Sequence, residues 1–292
     1  KYADMSIAGE GVPEAPATEK VAHEAAGTMK SRSVSYSSKR VTPLIDVAEI
    51  PSEVFVTKFS PDGNMLAAGC GDGAIRVFDA NTGRLNYNLN IVGQDALPTT
   101  ALAFRPVGSA SKTRNVLLAV NSEGAVQHWH ITSGRCLHEI RDETNGLLTV
   151  DYCADGSKFA TAGKDYAIRV YDEATKTLIS KMSGGMLSAT PGHSNRVFSL
   201  KFDDRDSNMS VSGGWDNTIQ VWDLRMEQAV RSLYGPHICG DAVDVHDGVI
   251  LTGSWRVDHQ LQLWDFGSGK LIEEIQWGNS AGSKGSSCML YA

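Results

Sequence analysis

Cysteine is scarce in this chain and badly spaced for cross-linking. Cys70, Cys136, Cys153, Cys239 and Cys288 are five among 292 residues, an odd number, scattered and without a CxxC pair. A disulfide scaffold or zinc framework needs tighter spacing, so the thiols read as free, buried side chains in a reducing compartment. Long apolar runs are also missing. Stretches such as Val116–Val120 fall far short of the roughly 20 residues that a membrane-spanning helix requires. Positive charge is in deficit, with a formal net charge of −7. General nucleic-acid binding, which leaves a basic footprint, is therefore not expected. No signal-peptide pattern opens the chain at Lys1. What is present is globular: 41% hydrophobic residues, 29 glycines and only 9 prolines, with enough chain to bury a large core. All-β folds of this length often form one unit.

Residues 1–40 have no periodicity. Lys1 and Lys20 face Asp4, Glu10, Glu14, Glu19 and Glu24 over the first 29 residues, a net of −3, whereas Lys30, Arg32, Lys39 and Arg40 give residues 30–40 a net of +4. With many Ala, Ser, Glu and Pro and little apolar surface, such a segment does not order on its own. It is expected to be held by a partner. The Ser/Lys/Arg patch at its end suits a solvated linker or a phosphorylation site.

From Val41 the pattern changes. Val41–Ile50 is a short apolar stretch ending at Pro51, consistent with one strand. Five units then follow, each closing on an aromatic and a polar residue: Phe78-Asp79, Trp129-His130, Tyr171-Asp172, Trp222-Asp223 and Trp264-Asp265. The steps between closures are 51, 42, 51 and 42 residues. Each unit starts with a strand-like run, and three then carry an Asp-Gly turn at Asp62-Gly63, Asp155-Gly156 and Asp247-Gly248. A strand rich in small residues follows, then a turn acid (Asp72, Glu123, Asp165, Asp216 or Asp258), a third strand and a fourth. In the third strand, aliphatic residues such as Ile219 and Val221 share one face while the aromatic lies on the other. A sheet apolar on both faces is built to sit between two others, and radial repetition of four-stranded sheets protects their edges.

On these closures and their period, the chain from residue 41 to 292 resembles the WD40-repeat family. The resemblance implies an all-β fold, a WD40 β-propeller, with five recognisable blades and parts of at least one more. Cys288–Ala292 looks like the first strand of a sixth unit, so the sequence is expected to be part of a six- or seven-bladed ring, incomplete at its C-terminal end. The family also implies a hydrogen-bonded set of His, Ser or Thr, turn acid and Trp. By position this is His193, Ser212, Asp216 and Trp222 in the fourth unit and His237, Ser254, Asp258 and Trp264 in the fifth. The third keeps only Thr161 and Asp165, with Tyr171 in place of Trp. Units one and two carry Ala68 and Ala119 at the hydroxyl position.

Patterns that suggest chemistry have structural explanations. Gly278–Gly282 fits GxSxG around Ser280, but lies in a Gly/Ser loop instead of a strand-to-helix turn. Gly69–Ala74 loosely fits a dinucleotide fingerprint, yet reads as the turn between a second and third strand. His128 and His130 share a strand face without a third ligand at suitable spacing. No acid, base and nucleophile assemble, so a non-catalytic protein without cofactor, metal, membrane or small-molecule substrate is expected.

Function then falls to exposed loop residues. Lys164, Tyr166, Trp215, Trp255 and Arg256 flank the turn acids and are residue types favoured at interfaces, and the basic insertion Arg105–Arg114 is a further candidate contact. The expected role is a scaffold binding other proteins in a stable multi-protein assembly in the cytoplasm, with cytoskeletal or ciliary assemblies among the candidates. An alternative comes from Trp222-Asp223-Leu224-Arg225, which resembles the WDxR box of substrate receptors for cullin-RING ubiquitin ligases and assigns adaptor binding to Arg225.

Overall fold

The computed structural model describes residues 44–90, 97–108, 114–184 and 191–275. Residues 1–44 form a unit of their own and residues 45–292 a second. The expectations for residues 1–40, Ser280 and Cys288–Ala292 lie outside the described residues.

The second unit contains five four-stranded antiparallel sheets, each a meander in chain order. Sheet 1 is β1 (Val54–Phe59), β2 (Met65–Cys70), β3 (Ile75–Asp79) and β4 (Leu85–Leu89). Sheet 2 is β5 (Thr99–Phe104), β6 (Val116–Asn121), β7 (Ala125–His130) and β8 (Arg135–Arg141). Sheet 3 comprises β9 (Leu147–Tyr152), β10 (Lys158–Gly163), β11 (Ile168–Asp172) and β12 (Leu178–Met182). Sheet 4 comprises β13 (Val197–Phe202), β14 (Met209–Gly214), β15 (Thr218–Asp223) and β16 (Gln228–Tyr234). Sheet 5 is β17 (Val243–His246), β18 (Val249–Gly253), β19 (Leu261–Asp265) and β20 (Leu271–Glu274). The Asp-Gly pairs make the β1–β2, β9–β10 and β17–β18 turns, with Gly63, Gly156 and Gly248 at positive φ. Residues 44–50 differ from expectation, because they form no strand. Prolines at 43 and 51 flank them, and a single backbone bond from the Ala48 N–H to the Gly83 carbonyl, 3.0 Å, ties them down.

Packing follows one rule. The aromatic face of each sheet lies on the aliphatic face of the sheet before it. Trp129 packs with Ile75, Val77 and Leu89 of sheet 1. Phe159 and Tyr171 meet Leu118, Val120 and Val126 of sheet 2. Trp222 meets Ala160, Ile168 and Val170 of sheet 3, and Trp264 meets Val211, Ile219 and Val221 of sheet 4. The two outer faces of the row are different. Among the described residues, Phe78, Ala68 and Cys70 of sheet 1 are covered by Ile50 and Leu66 without a second sheet, and Leu251 and Leu263 of sheet 5 are only half-buried.

Successive first strands β1, β5, β9, β13 and β17 pack side by side along a common axis. There Lys58 Nζ of β1 lies 2.5 Å from Asp241 Oδ2, just before β17. Ser199 donates to Asp241 at 3.1 Å, and Lys201 Nζ is 3.6 Å away. Burial pushes the Asp241 carboxyl up, but the Lys201 and Lys58 charges outweigh it and hold the group below the usual carboxylate range.

A second polar cluster is buried between sheets 2 and 3. Glu173 bonds His128 Nε2 at 3.2 Å and Lys176 Nζ at 2.6 Å, and forms an ion pair with Arg105. Arg105 is therefore turned inward, away from the surface contact expected of the Arg105–Arg114 loop. Burial raises the Glu173 carboxyl, yet its bonds to His128 and Lys176 and the nearby charges bring it down to about 2. Burial also lowers His128 below its ordinary 6.5.

Two predictions follow from this packing. Ile168→Ala, at a fully buried position between sheets 3 and 4, should cost about 2–5 kcal/mol in urea denaturation. The exposed Leu178→Ala control should stay within about 0.5 kcal/mol. A depressed carboxylate stabilises the fold above its unfolded value and loses that contribution as pH falls through its folded value. The Glu173 contribution should therefore be complete above 4.5 and vanish towards 2. Neutral His128 adds acid sensitivity below 6.5. Glu173→Gln should lower stability at pH 7 by about 3 kcal/mol or more, since it leaves Arg105 without its carboxylate. It should also flatten the dependence of the urea midpoint on pH over the Glu173 window.

Candidate functional site: the rim of second-to-third-strand turns

A four-stranded meander sends its second-to-third-strand turn and its outgoing loop to the same end of the sheet. The turn acids and most of the expected contact residues therefore gather on one rim. In sheet 4 the expected set is assembled. His193 Nδ1 lies 2.8 Å from Asp216 Oδ2, and its Nε2 lies 2.7 Å from the Ser212 hydroxyl. Trp222 Nε1–H donates to that same hydroxyl at 2.7 Å. Asp216 also accepts from the Ser194 N–H at 2.9 Å and the Thr218 hydroxyl at 2.8 Å. Burial raises the Asp216 carboxyl, while His193 and these donors together hold it below the usual carboxylate range. The arrangement resembles a Ser-His-Asp relay in composition only. The Ser212 oxygen faces an indole in the sheet interior, with no space for a substrate carbonyl, and the network acts as a clamp between loop and sheet.

Sheet 5 departs from the expected set. Trp264 Nε1–H donates to Thr252, at 3.1 Å, and not to Ser254. Ser254 instead accepts from the His237 backbone N–H at 2.9 Å, while the His237 ring faces Asn217 Oδ1 at 2.8 Å. Asp258 points outward with its side chain 76% exposed, nearest to His259 at 3.8 Å. The cause is turn length. Thr252 pairs across to Gln262 as Ser212 pairs to Gln220, but the sheet 5 turn carries two more residues. Counting back from Trp-Asp therefore lands two positions late.

Sheets 1 and 3 use another clamp. Arg76 forks onto Asp72 at 3.0 and 2.5 Å, and Arg169 onto Asp165 at 3.0 and 2.6 Å. Arg169 also reaches Asp142 at 2.9 Å. Thr161 is fully buried beside this fork, directly across from Arg169 in the strand register. Where the closure is Phe or Tyr, an Arg two residues earlier shares its face and replaces the histidine. Where the closure is Trp, that position is Gln. The sequence signal was the matching AIRVF and AIRVY strings.

The other motifs resolve into packing. Gly73, in the β2–β3 turn at φ +75°, has the Leu97 carbonyl 2.8 Å from where a Cβ would sit, so the loop glycines serve backbone approach and not a phosphate. His128 is committed to Glu173, and His130 Nδ1 to the Ser133 hydroxyl at 2.7 Å. Among the described residues, no three His, Cys, Asp or Glu side chains are grouped to hold a metal ion.

The contact candidates take up different positions. Lys164, Tyr166, Trp215 and Trp255 are exposed on the rim, and Arg256 is half-buried beside them. Trp215 is packed on Phe198 with ring centroids 4.9 Å apart, and the Arg196 guanidinium lies over it at 5.3 Å. Sequence reasoning missed Arg196 and Phe198, because the start of β13 is adjacent to Trp215 only in space. Arg225 is elsewhere, in the third-to-fourth-strand turn. Its guanidinium forks onto Asp223 at 2.8 and 2.9 Å and approaches Asp206 at 3.4 Å.

Comparison with known proteins agrees with this architecture. The family model described as WD domain, G-beta repeat matches residues 134–172 and 184–223. The Anaphase-promoting complex subunit 4 WD40 domain model matches residues 37–107. The WD repeat-containing protein slp1 of Schizosaccharomyces pombe is 22% identical over 78% of this chain and 44% of its own length. The U3 small nucleolar RNA-associated protein 21 homolog of the same organism is 23% identical, over 69% of this chain and 21% of its own. A chain in the crystal structure of the mitotic checkpoint complex superposes with a TM-score of 0.63 at 18% identity, covering 78% of this chain and 65% of that one. The fold and its clamps define a WD40 β-propeller. The chain belongs to the WD40-repeat family, and it spans half or less of the length of these curated relatives.

The sheet 5 register is testable. Ser212→Ala should shift the Trp222 indole N–H resonance and cost about 1–3 kcal/mol, since it leaves buried donors unmatched. Thr252→Val should move the Trp264 indole resonance, whereas Ser254→Ala should leave it in place.

Proposed function

We propose that this propeller is a non-catalytic scaffold that binds other proteins within a stable multi-protein assembly, through the rim of second-to-third-strand turns. The observation that carries this reading is the Phe198–Trp215–Arg196 stack with Trp255 and Tyr166 exposed along the same rim. Aromatic and Arg side chains on a rigid sheet framework lose little entropy on binding and are enriched among residues that dominate interface energetics. The clamps hold these loops in place through buried hydrogen bonds, so the surface is pre-organised. The Ser212, His193 and Asp216 set is closed on the Trp222 indole inside sheet 4, and the His128–Glu173 pair is buried between sheets 2 and 3.

Relatives' names support a role inside complexes. One is associated with a small nucleolar RNA, and the superposed structure is of a checkpoint complex. They do not favour the cytoskeletal or ciliary setting. The ligase-receptor alternative gains no separate observation, because the Arg225 fork closes on Asp223. Residues 1–40 belong to this proposal as a partner-held arm, on their composition alone.

Native purification at physiological salt with light scattering is the test. A stoichiometric complex, weakened when Trp215 and Trp255 are both changed to Ala, is expected. Elution of the wild type as a lone monomer would overturn the reading.

A further inference from the structure

The charges of this rim are divided. Around sheets 1 and 2, Glu53, Glu123 and Glu143 are exposed. Around sheets 3 to 5 the acids mostly turn inward. Asp165 is committed to Arg169, and Asp216 to His193, the Ser194 N–H and Thr218. Asp258, beside His259, and Glu274, 2.7 Å from the His259 ring, are the outward exceptions. The cations of this half are left over. Among the described residues, no carboxylate lies within ion-pair distance of Lys164, Arg196 or Arg256. In a chain of net charge −7, a cluster of uncompensated cations on one sector is a local reversal of the overall sign.

Arg196, Trp215, His237, Trp255 and Arg256 form a connected surface. Arg196 lies over Trp215, and the Trp215 N–H donates to the Arg196 carbonyl at 3.0 Å. Asn217 bonds the His237 ring, and the Trp255 N–H donates to the His237 carbonyl at 2.8 Å. Arg256 is close enough for its charge to help lower the His237 ring, after the larger effect of burial. A guanidinium lying over an indole keeps its edge N–H donors free for a carboxylate while the ring supports its plane. Next to these donors, Trp255 and Val257, the latter 83% exposed, offer apolar surface.

We infer that this sector takes an acidic peptide segment of a partner protein, with Asp or Glu carboxylates on Arg196 and Arg256 and a bulky apolar side chain against Trp215 and Trp255. The inference rests on the scaffold reading and names the chemistry of its partner. The exposed glutamates of sheets 1 and 2 repel the same peptide, so the charge division also sets its placement.

Fluorescence anisotropy tests this with a labelled twelve-residue peptide of Glu and Asp around a central Phe. The wild-type chain should bind it at least tenfold more tightly than the Gln/Asn version. Changing Arg196→Glu and Arg256→Glu together should weaken binding at least tenfold, with an unchanged thermal midpoint. Trp215→Ala should weaken it severalfold, and Glu123→Lys should not weaken it. Equal binding of the neutral peptide, an unchanged Kd in the double reversal, or binding only when phosphoserine replaces the carboxylates would overturn the inference. So would no binding of the acidic peptide at millimolar concentration. The same double reversal is then taken through native purification. An intact complex would remove this surface and leave the scaffold reading standing, whereas a monomeric wild type would remove the scaffold reading itself.

Discussion

Each sheet in this protein needs a cover on both faces, and that requirement shapes everything else. Aromatic side chains on one face and aliphatic ones on the other make successive sheets complementary in one order only, as Trp222 on Ile168 and Val170 shows. Burying such faces is worth roughly 25 cal/mol per Å² of apolar surface. A single four-stranded sheet cannot collect that gain alone. The clamps are secondary to this packing. They fix the loops over a core that the strands have already specified, which explains how one repeat can use His–Asp, another Arg–Asp, and a third neither.

That division of labour also governs what could be read from sequence. Strands were legible because a period of two leaves a plain mark, and β9 and β13 begin and end where alternation places them. Turn glycines were legible for a similar reason, since Gly63 and Gly156 adopt the positive φ that Asp-Gly implies. The sheet 4 clamp was legible through family resemblance. The sheet 5 clamp was misplaced because spacing counts residues along the chain, whereas Thr252 finds Trp264 through cross-strand register. A longer turn changes the first measure without touching the second.

Long-range polar contacts left no sequence signature. Glu173 gathers partners 45 and 68 residues away, each on an element whose own pattern is satisfied without it. Arg105 looked like the first residue of a basic loop, but a buried carboxylate from the next sheet draws it inward. The Arg–Asp forks of sheets 1 and 3 were visible in retrospect as the pairing of Arg with Phe or Tyr. A pattern defined by the closing Trp does not contain them, because Arg76 and Arg169 stand two residues before Phe78 and Tyr171. Residues 44–50 show the opposite error: apolar character predicted a strand, but a strand also needs a neighbour with free backbone groups, and proline on either side reduces the supply.

The ion pair between Lys58 and Asp241 joins residues 183 positions apart. During synthesis, four sheets can be made and stacked before Asp241 exists, each using contacts mostly within itself and with its predecessor. Closure across the axis is thus a late, non-local event with a large loop entropy to overcome. In chain order, the residue that ties the first sheet to the approach of the fifth comes after the four sheets it helps to hold together.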